Sequence, residues 1–83
     1  MPRKRGTPAS RIAGVVQWFN ADEGWGVIIA PEVPGGCFVH FSAIQARGFR
    51  ELRANQRVQF TYEEPGHLQD GCPFRALAVW ADD

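Results

Sequence analysis

The sequence is short of cysteine, of long apolar runs and of any catalytic grouping. It has two cysteines, Cys37 and Cys72, in 83 residues. Two thiols cannot scaffold a fold through disulfides, and their separation fits no zinc pattern, which needs tighter pairs and four ligands. A reducing, cytoplasmic setting is the expectation, with Cys37 a small core hydrophobe and Cys72 a free thiol in a loop. No apolar stretch approaches the roughly 20 residues of a membrane span. The basic start runs into no hydrophobic segment, so no secretory leader is expected. His40 and His67 lie far apart, Ser10 and Ser42 have no evident base, and there is no phosphate-binding loop. No nucleophile–base–orienter set can be assembled from these, so the chain reads as a binding protein and not an enzyme, with no metal and no cofactor.

What is present is a crowd of aromatic rings in a small domain. A chain this short buries roughly two-thirds or less of its unfolded surface, so its core is thin and there is no room for a second domain. Six prolines and nine glycines argue for many turns. Trp18-Phe19-Asn20, Glu23-Gly24-Trp25-Gly26-Val27-Ile28 and Cys37-Phe38-Val39-His40-Phe41 place five rings and a histidine within one stretch, Trp18 to Phe41. Charge is also unevenly placed. Arg3, Lys4, Arg5 and Arg11 open the chain with no acid among them, whereas the remainder sets five arginines against nine acids. Residues 1–11 read as a flexible basic arm, and residues 12–83 as the folded domain.

Period-2 patterning predicts five short strands: Ile12 to Asn20, Trp25 to Ala30, Cys37 to Phe41, Arg57 to Tyr62 and Phe74 to Trp80. Trp18 and Phe19 are adjacent, so one flat face cannot bury both; the strand bulges there or one ring meets solvent. Pro31 ends the second strand, Ser42 is the expected cap of a short helical turn over Ser42 to Gln45, and Glu63 to Pro73 is a long Gly/Pro/Asp loop. Val16, Ile28, Val39, Val58, Phe60, Leu77 and Val79 supply a core of suitable size, joined by Cys37. Trp25, Phe38 and His40 then fall on the opposite parity and face outward. Any one ring is first a core residue, but the set has no core left to fill, and an exposed apolar patch of that extent marks a binding surface. Gly24 and Gly26 would leave the backbone clear for a ligand strand. Trp80 reads as packing or edge cover. An all-β barrel or sandwich follows, closure being favoured because it removes free edges.

Over Gly14–Asn20, Gly24–Ile28 and Phe38–Ile44, and more weakly through Gly48-Phe49 and Val58–Phe60, the sequence resembles the cold-shock domain family. The Glu23–Ile28 and Cys37–Phe41 segments are similar to that family's two ribonucleoprotein motifs. The resemblance implies a small five-stranded antiparallel OB-fold barrel that binds single-stranded RNA or DNA by stacking bases on an aromatic face, as an RNA chaperone or a regulator of transcription or translation. Carried over position by position, it places the stacking residues at Trp18, Trp25, Phe38, His40, Phe41 and Phe49, with Phe19 at the edge. The chain also departs from the family. Trp25 and Val27 stand where phenylalanines are usual, Gln17 and Glu23 where lysines are usual, and Asp70 where several members are basic. With fewer cations on the rim, the body is expected to bind more weakly and with less salt dependence than a typical member. Arg3, Lys4, Arg5 and Arg11 are the expected phosphate contacts, with Arg47, Arg50, Arg53, Arg57 and Arg75 as further candidates. The alternative is a protein-interaction or self-associating module on the same fold. A monomer is expected, with strand exchange as the route to a dimer.

Overall fold

The computed structural model of the chain describes residues 11–46 and 51–81. Strand β1 spans Ile12–Asn20, β2 Trp25–Ile29, β3 Cys37–His40, β4 Arg57–Glu63 and β5 Phe74–Ala81, with one 3₁₀ turn at Phe41–Ala43. The strands close into a barrel in the order β1-β2-β3-β5-β4. Four junctions are antiparallel. The fifth, between β3 and β5, is parallel and consists of Cys37 opposite Phe74 and Phe38 opposite Arg75. The sheet is therefore mixed rather than wholly antiparallel, and no edge is left open along its full length.

The barrel is filled by Val16, Ile28, Val39, Val58, Phe60 and Val79, joined by Cys37, Ala76 and, from outside the strands, Val33, Ile44 and Leu52. Leu77, expected among them, is 45% exposed. The cause is a bulge. Thr61 pairs with Ala78 and Tyr62 with Ala76, so Leu77 has no partner across the ladder. One extra residue reverses the parity of the rest of the strand, and Ala76 takes the inward place. A second bulge resolves the Trp18–Phe19 conflict. Val16 pairs with Ile28 and Trp18 with Val27, which leaves Gln17 as the extra residue. Gln17 and Trp18 both reach solvent, and Phe19 turns back to pack on the core.

The turns are closed by specific groups. The Asn20 side-chain oxygen accepts from the Glu23 amide at 3.0 Å, and the Gly24 amide donates to the Asn20 carbonyl at 2.7 Å. The 3₁₀ turn is capped by His40 and not by Ser42: the His40 backbone is extended, and its ring accepts from the Ser42 amide. Cys72 lies in the loop before β5 as read from the sequence, but it is buried; both cysteines are free thiols. Among the described residues, no helix is long and apolar enough to cross a membrane.

Candidate nucleic-acid interface

Strand registers set the aromatic residues on a grid. Trp18, Val27, Phe38 and Arg75 are successive partners across β1, β2, β3 and β5. Asn20, Trp25 and His40 form the next row. Val27 is the small residue in the first row, and the indole of Trp25 packs over it. Trp25 stands edge-on to Trp18, ring centroids 4.7 Å apart, and lies stacked on Phe38 at 5.3 Å with the planes 25° apart. Val27, Phe38 and Cys72 form a second small apolar cluster, and Trp25 covers it.

This arrangement corrects the expectation that Phe38 faces outward. Phe38 is only 6% exposed and Val27 7%. Parity does put both on the outer face of the sheet, but Trp25 above and the Cys72 loop beside them make a lid. The rings that reach solvent are Trp18, Phe41 and His40, with Trp25 half-buried. His40 and Phe41 continue the surface, their centroids 4.5 Å apart. Phe49 lies outside the described residues, as do Arg3, Lys4, Arg5, Arg47 and Arg50.

The two glycines of the motif have a different task from the one expected. A Cβ on Gly26 would stand 2.2 Å from the Trp18 carbonyl oxygen and 2.7 Å from the Phe19 Cα. Its absence lets β1 approach β2 where the rings are mounted, and does not clear a path for a ligand. Gly24 has φ +80°, which strains any residue with a side chain, and its missing Cβ would meet the Phe41 ring at 2.7 Å. The Phe41 amide donates to the Gly24 carbonyl at 2.8 Å, so the turn and the ring are seated together.

Polar groups orient the rings. The indole N–H of Trp25 donates to a Glu23 carboxylate oxygen at 3.0 Å. Glu23 thus puts a negative charge at the edge of the ring surface and fixes the plane of Trp25. At His40 the ring Nδ1 lies 2.8 Å from the Ser42 hydroxyl oxygen and 3.3 Å from the Ser42 amide nitrogen. A backbone amide can only donate, so Nδ1 is the acceptor and the proton of the neutral ring sits on Nε2. His40 therefore turns a donor away from its own backbone. The cations are less available than the sequence implies. Arg11 has its guanidinium 3.5 Å from the centroid of the Trp80 ring. Trp80 is five residues along β5 from Arg75, on the order of 15 Å from the ring rows. Arg75 is ion-paired to Glu63, its antiparallel neighbour. Arg53 and Arg57 are exposed. Burial, and secondarily the charge of Cys72, pushes the Cys37 thiol up to about 12. The Cys72 thiol is also raised, by burial and then by Asp70.

Flat rings beside a donor and an arginine can stack planar groups, donate a hydrogen bond at the ring edge and neutralise an anion; no three of His, Cys, Asp and Glu among the described residues come together as a metal site. A profile described as the 'Cold-shock' DNA-binding domain matches residues 12–73. The chain belongs to the cold-shock domain family. Its relatives include the major cold shock protein of Micrococcus luteus, 51% identical over 57 residues, which are 68% of this chain and 85% of that protein. The cold shock-like protein CspG of Escherichia coli K12 is 45% identical over 56 residues, 68% of this chain and 80% of the relative. CspJ of Salmonella typhimurium strain SL1344 is 46% identical over 55 residues, 66% of this chain and 79% of the relative. The cold-shock domain family is one of nucleic-acid-binding proteins, and the five-stranded barrel seen here is its fold. The family match spans Gln17, Glu23 and Val27.

Proposed function

We propose that this cold-shock domain binds single-stranded RNA or DNA by stacking unpaired bases on Trp18, Trp25, His40 and Phe41, and acts as an RNA chaperone or a regulator of transcription or translation. The observation that carries the reading is the solvent-facing run of rings from Trp18 to Phe41, mounted on adjacent strands of a family barrel. Every base has a π-face, and each base–ring contact contributes about 1–3 kcal/mol with little sequence preference. Paired bases hide those faces, so single strands are favoured over duplex. Glu23 at the ring edge and the engagement of Arg11 and Arg75 keep the phosphate contribution small in the body of the domain. The basic residues before Arg11 supply phosphate contacts from outside it.

Titration with short single-stranded oligonucleotides at low salt, followed by tryptophan emission, tests this. Stacking on Trp18 and Trp25 quenches the signal, and duplex DNA of the same sequence gives little change. An unquenched signal with single strands at low salt overturns the reading.

A further inference from the structure

Strand β4 pairs only with β1 and β5, so its outer face lies around the barrel from β2 and β3, which carry most of the rings. Two cross-strand rows cover that far face. Val15 stands opposite Arg57, and Ala13, Gln59 and Trp80 are successive partners across β1, β4 and β5. Their neighbours Val16, Val58, Phe60 and Val79 fill the barrel, so by alternation these five side chains point out.

Trp80 is half-buried, and the Arg11 guanidinium lies over its ring, 3.5 Å from the centroid. That is van der Waals contact, and it occupies one face of the indole. Arg11 itself is exposed. A guanidinium is planar and weakly hydrated; stacked on a ring with one side, it keeps the other for a second planar group. Bases stack on arginine planes as they do on rings.

The charge around this pair is of one sign. Arg57 is exposed, two residues along β4 from Gln59, and among the described residues neither Arg11 nor Arg57 is ion-paired. No acid stands in either row. The segment that leads into Arg11 adds Arg3, Lys4 and Arg5. The ring rows have the opposite balance, with Glu23 bonded at their edge. An acidic peptide would meet Arg11 at its edge and leave the stacked plane without a use. A nucleic-acid strand supplies both a planar group for Arg11 and an anion for Arg57.

We propose that the outer face of β1, β4 and β5 is a second single-strand site, in which a base stacks on Arg11 over Trp80 and Arg57 contacts a phosphate. It goes beyond base stacking on the rings, since one chain then holds two strand segments at once. Arg11 and Trp80 both lie outside the residues that the family profile matches.

The probe is tetrathymidine, near the lower end of the site size of such barrels. It is titrated into the intact chain at low salt, and the indole N–H resonances of Trp18, Trp25 and Trp80 are followed in a nitrogen–proton correlation spectrum. The Trp80 resonance is identified by its loss in Trp80→Phe. Trp18 and Trp25 complete their shifts with the first equivalent, and Trp80 goes on shifting toward a second. Arg11→Gln weakens that second phase about tenfold, the lower half of the range for one stacking contact, and leaves the first unchanged. Arg57→Gln lowers the slope of log affinity against log salt in the second phase by about 0.7, one phosphate contact on a single strand. A Trp80 resonance that stays still while Trp18 and Trp25 saturate, or that saturates together with them, overturns the second site and leaves the ring surface standing. Shifts at Trp80 alone uphold the second site and overturn binding at the rings. No shift at any of the three overturns both.

Discussion

The indole of Trp25 lies stacked on Phe38, centroids 5.3 Å apart, and packs against the cluster that Phe38 forms with Val27 and Cys72. The large ring of Trp25 and the small side chain of Val27 are thereby one packing solution. Trp25→Phe alone uncovers Val27 and Phe38 and destabilises by about 1–3 kcal/mol. Val27→Phe alone overpacks the space beneath the indole, at a similar cost. The double variant recovers much of the loss, giving a coupling on the order of 1 kcal/mol. Urea denaturation of the four proteins measures it, and strict additivity would refute the pairing.

Phe38 and His40 are adjacent on one face of β3 but respond differently. Phe38→Ala empties a buried ring site and costs about 3–5 kcal/mol, a large share of the stability of a domain this small. His40→Ala changes an exposed side chain and the cap of one short turn, so stability falls by about 1 kcal/mol or less. Its affinity for single strands falls about tenfold, the lower half of the range for a stacking contact. Denaturation and fluorescence titration of the two variants separate the roles.

Glu23 has two actions that substitutions can divide. Glu23→Gln retains an oxygen acceptor for the indole N–H and removes the charge; Glu23→Lys removes both. Each raises single-strand affinity by up to about 5-fold at low salt, in the range of one exposed charge contact. Only Glu23→Lys moves the Trp25 indole N–H resonance strongly in a nitrogen–proton correlation spectrum. An unchanged resonance in Glu23→Lys would show that the hydrogen bond does not hold the ring.

The Cys37 thiol, pushed by burial from its ordinary 9.0 to about 12, links stability to alkaline pH. Its folded-state value is raised, so the neutral thiol is favoured in the fold. The stability this contributes is fully present below pH 9 and is lost as pH rises from about 9 through 12. Cys37→Val removes that loss. Denaturation midpoints at pH 8 and pH 10.5 should diverge more in the wild type than in the variant. A thiol reagent at pH 8 should also leave Cys37 unmodified in the folded chain.

Alternation along the chain made most of the barrel readable, including the inward Val16, Ile28, Val39, Val58, Phe60 and Val79. The bulge near Trp18 announced itself because two large rings stood side by side. The bulge at Leu77 did not, because Ala76 and Leu77 are both acceptable inside and nothing in the pattern conflicts. Alternation puts Phe38 on the outer face of the sheet, where the structure nonetheless buries it. Parity says which way a side chain points, not what lies on top of it. The lid depends on Trp25 leaning across a strand and on a hairpin at Gln69 to Cys72 that composition reduced to a loop. His40 as cap was hidden for a related reason, since a histidine accepting from a backbone amide has no sequence signature comparable to that of serine.

The parallel seam between β3 and β5 has only two residue pairs, while the other junctions have four or more. Its residues are also far apart along the chain, so their meeting carries a loop-closure cost that neighbouring hairpins avoid. Having the fewest pairs, the seam is expected to open before the longer β1–β4 junction, which hydrogen exchange would show as faster exchange at Phe38 and Arg75 than at Ile12 to Val15. Phe38 sits on that seam, and Trp25 rests on Phe38. Opening the seam therefore frees Phe38 on its β5 side and loosens the ring resting on it, so the order of the ring surface depends on barrel closure as well as on the hairpins that carry it.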